Sequence, residues 1–115
     1  MPRTLIVTND FPPRQGGIQS FVYALARRLP PDEVVVYAST YAGAAEFDAG
    51  QPFPVIRHPT GLLIPTPGAR RRILATAREY DVTSVWFGAA APLALLAPAL
   101  RRLGIKPIVA STHGH

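Results

Sequence analysis

The chain has 115 residues, which fits one domain that is long enough to bury its own hydrophobic core. It contains no cysteine, so disulfides are excluded and a reducing compartment is compatible with the composition. Twelve basic residues, eleven of them arginine, face seven acidic ones and give a net charge of +5. Two interpretations remain open: the arginine-rich coding of a GC-rich genome, or a surface that attracts anions such as phosphates and acidic lipids.

Hydrophobic targeting segments are not expected. Only a few apolar residues precede Asn9 and Asp10, whereas a secretory signal peptide needs an apolar run of about 7–15 residues. The longest apolar run, WFGAAAPLALLAPAL at 86–100, contains two prolines. It falls short of the roughly 20 residues that a membrane-spanning helix requires.

Two kinds of hydrophobic pattern alternate along the chain. Short apolar runs without polar alternation, such as TLIV, are typical of parallel strands that are buried on both faces. Longer runs with apolar residues on one stripe, such as IQSFVYALARRL, are typical of helices that cover a sheet. The predicted strands cover residues 4–8, 34–38, 55–58, 84–87 and 106–111. The predicted helices cover residues 18–29, 69–80 and 92–103.

The sequence also predicts one long loop, an interruption in the last helix and the end of that helix. We expect a long loop over 40–53, a kink or break at Pro98, and Gly104 just after the last helix. The alternation of strands and helices predicts an α/β fold. We expect a Rossmann-like parallel sheet with flanking helices and the first strand near the centre.

Three unusual loops follow predicted strands. They are TNDFPPRQGG at 8–17, FGAAAP at 87–92 and STHGH at 111–115. Ligands of open α/β sheets bind beyond the carboxyl ends of the strands, so these three loops should line a binding site at one edge of the sheet.

The first loop carries Gly16 and Gly17 directly before a predicted helix. Glycine lets the backbone approach a ligand closely, and a helix N-terminus offers free N–H groups to an anion. A plain turn with a helix cap is the alternative. Neither G-x-G-x-x-G nor Gly-Lys-Ser/Thr is present, so a dinucleotide loop and an NTPase loop are both excluded.

Polar and stiff residues surround these glycines. Asn9 and Asp10 could hydrogen-bond a polyol or could cap the turn. Pro12 and Pro13 stiffen the loop by fixing φ. Arg14 could pair with a phosphate or could be a solvated surface residue.

His113 and His115 form an H-x-H pair after the last predicted strand. A metal-binding pair, a polar group that binds a sugar or acts on a leaving group, and a tail without function are the three interpretations. A metal site would need further ligands from other strand ends. Only His58 and a few carboxylates are available, which disfavours the metal.

The segments VTNDFPPRQGGIQSF, PTPG, VWFGAAAPLALLAPAL and IVASTHGH together resemble the N-terminal domain of retaining family-four glycosyltransferases. Within that family they resemble the actinobacterial GDP-mannose-dependent phosphatidylinositol monomannoside mannosyltransferases. The resemblance runs over essentially the whole chain and is weakest at 42–52. It implies a GT-B fold in which residues 1–115 are a partial N-terminal, acceptor-side domain. The donor domain of the family is absent, so we expect a truncated fragment that is inactive alone.

The resemblance also implies partners and roles. Gly16 and Gly17 would approach the diphosphate of GDP-mannose from across the cleft, and His113, with His115 in reserve, would contact the transferred mannose. The acceptor would be a phosphatidylinositol mannoside, with no metal, no other cofactor and no nucleic acid. The candidate acceptor and loop residues are Asn9, Asp10, Arg14 and Gln19.

An apolar loop, GLLIPTP, adjoins the consecutive residues Arg70, Arg71 and Arg72. The apolar loop and these arginines could together rest on an anionic membrane, or the segment could be an ordinary helix start with a solvated basic face. We expect a cytoplasmic protein, peripheral on the inner face of the plasma membrane under the first interpretation. The alternatives to an enzyme fragment are a free-standing module that binds an anion or a phospholipid headgroup, and a structural domain without a ligand.

Overall fold

The structure, a computed structural model, describes residues 3–9, 11–13, 17–88, 96–105 and 108–111. Its strands are β1 (Arg3–Thr8), β2 (Val34–Ser39), β3 (Val55–His58), β4 (Val82–Gly88) and β5 (Ile108–Ser111). Its helices are α1 (Gly17–Arg28), α2 (Ala44–Ala49), α3 (Pro67–Glu79) and α4 (Ala97–Arg102). The strands form one sheet in the order β3-β2-β1-β4-β5, and all neighbours are parallel. The predicted α/β fold with the first strand at its centre is confirmed.

The sheet separates two hydrophobic clusters. Leu5 and Val7 of β1 belong to the cluster on the side of α3 and α4, whereas Ile6 belongs to the cluster on the side of α1 and α2. The helix residues buried against the sheet include Val22, Ala26, Ile73 and Leu100. Because both faces are covered, the strands lack polar alternation, as the sequence indicates.

The predicted boundaries lie close to the observed ones. β3 covers residues 55–58 as predicted, and α1 ends at Arg28, one residue before its predicted end and ahead of Pro30 and Pro31. α3 begins two residues earlier than predicted, because Pro67 fits the first turn of a helix. The Thr66 hydroxyl caps that turn by accepting a hydrogen bond from the Ala69 N–H at 3.1 Å.

The predicted loop over 40–53 is wrong in its middle, because residues 44–49 form α2. Gly43 adopts a φ of 85° at the start of the helix, a conformation that glycine reaches without strain. Phe47 packs against the cluster on the α1 side. A helix of 6 residues is too short to be stable by propensity, so packing is what holds it.

The described helix around Pro98 is shorter than predicted, and the kink or break expected there stays a prediction. α4 begins at Ala97, which places Pro98 in the first turn, where a missing N–H costs no helical hydrogen bond. Residues 92–95 of the predicted helix lie outside the described residues. Gly104 follows the helix as predicted, with a φ of 83°, and the backbone closes the helix end with hydrogen bonds of 2.9 and 3.3 Å.

Candidate functional site

The carboxyl ends of the central strands lie level with one another. Thr8 of β1 pairs with Ala38 of β2 on one side and with Gly88 of β4 on the other. Gly88 pairs in turn with Ser111, the last residue of β5. The strands that lead into the three unusual loops therefore end at one edge of the sheet, as predicted.

The side chain of Asn9, directly after β1, is paired with the backbone of Leu63. Its Nδ2 donates to the Leu63 carbonyl at 2.8 Å, and the Leu63 N–H donates to its Oδ1 at 2.6 Å. Leu63 is fully buried, so these bonds satisfy backbone groups that are removed from water. Asn9 thus fixes the loop after β3, residues 59–66, against the end of β1.

Phe11 begins the proline-rich part of the first loop and is almost fully buried. Its ring makes edge contacts with Tyr23, Phe47 and Phe53, at centroid distances of 6.0, 6.0 and 6.4 Å. These rings come from α1, from α2 and from the approach to β3. The entry of the loop is therefore packed against three other segments of the chain.

Arg57 of β3 connects four segments beneath this loop. Its Nε and Nη2 donate to the two carboxylate oxygens of Asp48 at 3.0 and 2.8 Å. Its Nη1 donates to the Ser39 carbonyl at 2.9 Å, and Nη2 also donates to the Pro12 carbonyl at 2.6 Å. The guanidinium lies 5.5 Å from the centre of the Phe11 ring.

Tyr37 and His58 form a buried polar pair between the sheet and α3. The Tyr37 hydroxyl and His58 Nδ1 are 2.8 Å apart. Burial raises the pKa of Tyr37, and the charge and hydrogen bond of Arg72 partly offset that effect. Burial lowers the pKa of His58, and the charge of Arg72 lowers it further. His58 is therefore neutral at neutral pH and supports the start of the 59–66 loop.

The predicted apolar loop and basic residues are exposed side by side along the chain. Leu62 and Ile64 have 61% and 44% of their surface exposed. Residues 70–72, the three arginines, are exposed on the first turns of α3, which has no acidic residue in its first turn. A cavity of about 170 Å³ next to this helix start is lined by Pro65, Thr66, Pro67, Arg70 and Leu96.

The other predicted site residues divide into two groups. Gly17 and Gln19 lie in the first turn of α1, which starts one residue earlier than predicted. Asp10, Arg14, Gly16, His113 and His115 lie outside the described residues. Their roles, and the expected meeting of Gly16 with His113, stay predictions.

Sequence reasoning overlooked the side chains of Arg57, Asp48 and Tyr37. One signal was available: VIRH places an arginine and a histidine in a strand that the pattern predicts to be buried. Buried polar groups need partners, so both should have been assigned one. The partners themselves lie on other elements and leave no local motif.

The described ranges contain neither a metal-binding cluster nor a membrane-spanning helix. There, no group of three or more His, Asp or Glu side chains lies close enough to hold a metal ion. No helix in the same part of the chain has the length and hydropathy that a membrane span requires.

The chain belongs to Glycosyltransferase Family 4, whose sequence profile matches residues 15–115. The resemblance carried by the loops is thereby confirmed, and the parallel sheet agrees with it.

Three named proteins are similar in sequence to this chain. A Mycolicibacterium smegmatis protein named GDP-mannose-dependent alpha-(1-6)-phosphatidylinositol monomannoside mannosyltransferase is 52% identical, over 96% of this chain and 30% of the relative. A Mycobacterium tuberculosis protein of the same name is 47% identical, over 100% of this chain and 31% of the relative. A Corynebacterium glutamicum protein, whose name specifies a monoacylated acceptor of this kind, is 44% identical, over 98% of this chain and 30% of the relative. The chain spans about a third of the length of these curated relatives.

We expect Asn9→Ala to destabilise the chain, because it leaves the N–H and carbonyl of Leu63 buried without partners. The loss in the free energy of unfolding should be about 1–3 kcal/mol, the usual cost of such a group. Urea unfolding at neutral pH measures it. Thr60→Ala is the matched control, because its hydroxyl bonds the Leu62 carbonyl in the same loop but is exposed. Equal stability of the two variants would contradict the role of Asn9.

His58 should make stability depend on pH. The folded chain holds the pKa of His58 below the unfolded value of about 6.5, so the unfolded state binds the proton more readily. Its contribution is therefore complete above about 6.5 and is lost as the pH falls below that value. Urea midpoints across this window should fall more steeply for the wild type than for His58→Asn, which does not titrate. Parallel pH profiles would reject this contribution.

Proposed function

We propose that this chain is the acceptor-side part of a retaining mannosyltransferase that moves mannose from GDP-mannose to a phosphatidylinositol mannoside. The observation that carries the proposal is the 44% to 52% identity to relatives whose names state this donor and this type of acceptor. The level strand ends support it, because they bring the described parts of the site to one edge.

The reaction sets the requirements for these residues. The bond between mannose C1 and the diphosphate breaks, and GDP leaves with the electron pair. The acceptor oxygen bonds to C1 on the same face, and its proton passes to the departing phosphate oxygen of GDP. Backbone N–H groups at Gly16 and Gly17 would stabilise the leaving diphosphate, and His113 would contact the sugar while positive charge builds at C1.

We further propose that the acceptor is reached at a membrane surface. Leu62 and Ile64 supply exposed apolar side chains, and residues 70–72, a few positions further along the chain, supply exposed positive charge. An apolar loop beside basic residues binds anionic bilayers by combining burial with electrostatic attraction. We therefore propose a cytoplasmic protein that is peripheral on the inner face of the plasma membrane.

A chimera tests the enzymatic proposal. It joins these 115 residues to the C-terminal two-thirds of the Mycolicibacterium smegmatis relative. The chimera should transfer mannose from GDP-mannose to a phosphatidylinositol mannoside, whereas the 115-residue chain alone should not. In the chimera, His113→Ala should lower kcat by about 100-fold with a smaller effect on GDP-mannose affinity, as expected when a transition-state contact is lost.

His115→Ala is the matched control in steady-state transfer and donor-binding measurements. Near-normal kcat in His113→Ala together with a large loss in His115→Ala would move the role to His115. Transfer by the chain alone would contradict the proposal that it is only a part of the enzyme. A chimera without transfer, combined with vesicle binding by the chain alone, would favour the free-standing headgroup-binding module.

The membrane proposal predicts that Arg70→Glu/Arg71→Glu weakens co-sedimentation with anionic vesicles. Arg72 is left unchanged because its charge also acts on Tyr37 and His58. Binding of the wild type should weaken as salt rises to about 0.15 M and above, where surface charges are screened within about 8 Å.

Arg101→Glu/Arg102→Glu is the matched control, because it reverses two consecutive exposed arginines in the last turn of α4. It changes the net charge by the same amount and should bind vesicles like the wild type. If both double variants lose binding equally, overall charge rather than the 70–72 surface is responsible.

A further inference from the structure

We propose that Arg57 is a positioning residue for the first loop, acting through the carbonyl of Pro12. The inference rests on the proposed function for its catalytic consequence, because the loop that continues from Pro13 carries Gly16 and Gly17. Arg57 itself is assigned no contact with substrate.

The contacts of Arg57 define one geometry. Two guanidinium nitrogens face both oxygens of Asp48, which fixes the plane and rotation of the guanidinium. In that orientation its remaining donors reach the carbonyls of Ser39 and Pro12 at 2.9 and 2.6 Å. The Pro12 carbonyl is therefore held at a position set by β3 and α2.

The ion pair between Arg57 and Asp48 is largely buried. The side chain of Arg57 is 12% exposed and that of Asp48 is 17% exposed, so both charges are largely removed from water. A buried ion pair is weak evidence for stability, since apolar residues of similar volume often serve as well. What apolar residues could not reproduce is the pair of directed bonds to two backbone carbonyls.

The loop is thereby anchored on both sides of its glycines. Before them, Phe11 is packed among aromatic rings and Pro12 is bonded to Arg57. On the other side, Gly17 is itself the first residue of α1, which is packed on the sheet through Val22 and Ala26. Preorganised backbone donors stabilise charge that develops in a transition state because they do not have to reorganise. Loosening the Pro12 anchor should therefore impair catalysis more than ground-state binding of the donor.

Arg3, at the amino end of the central strand β1, supplies a matched control. Its guanidinium also donates to two backbone carbonyls, those of Asp32 and Tyr80, at 3.0 and 3.4 Å. It also lies over an aromatic ring, 5.4 Å from the centre of Tyr80. Arg3→Gln thus removes similar contacts at the end of β1 that lies away from the first loop.

The first measurement does not depend on enzymatic activity. Amide hydrogen exchange over residues 9–20 is compared in the 115-residue wild type, Arg57→Gln, Arg57→Lys and Arg3→Gln. Arg57→Lys retains a positive charge beside Asp48, but one ammonium cannot reproduce the two-oxygen pairing and reach both carbonyls. Both Arg57 variants should speed exchange in this segment by about tenfold or more, whereas Arg3→Gln should leave it within about twofold.

The second measurement is steady-state transfer by the same variants in the chimera. Arg57→Gln should lower kcat by about 10- to 100-fold, as a displaced catalytic element does. KM for GDP-mannose should change by less than about threefold, because the lost interaction belongs to the transition state. Arg57→Lys should fall between wild type and Arg57→Gln, and Arg3→Gln should keep the wild-type kcat.

The outcomes separate the two proposals. Unchanged exchange over residues 9–20 in a folded Arg57 variant overturns the positioning role, with Arg57→Lys deciding if Arg57→Gln does not fold. Faster exchange with an unchanged kcat overturns the catalytic consequence of that role. A wild-type chimera without transfer contradicts the proposed function, and the exchange experiment then decides the structural role of Arg57 alone.

Discussion

The position of the candidate site depends on the pairing of β1 on both of its sides. β1 is joined to β2 and to β4 by parallel ladders, and its residues 5–8 are fully buried. Its end cannot shift without disrupting both ladders and both core clusters. The end of β1 therefore sets the point at which the chain leaves the sheet, and this point fixes where Asn9 and Phe11 begin the first loop.

Two polar anchors extend this order beyond the sheet, and they use different chemistry. Asn9 offers a neutral amide that pairs with a backbone segment as a neighbouring strand would. Arg57 offers a charged and planar donor set, neutralised by Asp48, that holds Ser39 and Pro12 at once. The Tyr37–His58 pair adds a third contact beneath the 59–66 loop. The two loops thus combine directed hydrogen bonds with a buried apolar side chain, Phe11 in the first loop and Leu63 in the 59–66 loop.

The sequence allowed the frame of the fold to be predicted, because buried parallel strands and covering helices leave strong local patterns. β3 was predicted to the residue, whereas α2 was missed because six residues are too few to show a helical period. The kink or break expected at Pro98 stays a prediction, because residues 92–95 before it lie outside the described residues. The glycine pair and the H-x-H pair could be recognised as contiguous motifs. The anchors could not, because their partners are separated by up to 54 residues along the chain.

These long separations have a consequence for the order in which the protein is completed during synthesis. The hydrogen bond of the Pro12 carbonyl requires Arg57, which is translated 45 positions later. The hydrogen bonds of Asn9 require Leu63, which is translated 54 positions later. A ribosome that has released only β1, α1 and β2 has already produced the first loop and Tyr23, against which Phe11 packs, but neither Arg57 nor Leu63. Asn9 and Pro12 are thus translated well before the groups that bind them, and their hydrogen bonds form only after β3 and its following loop have joined the sheet.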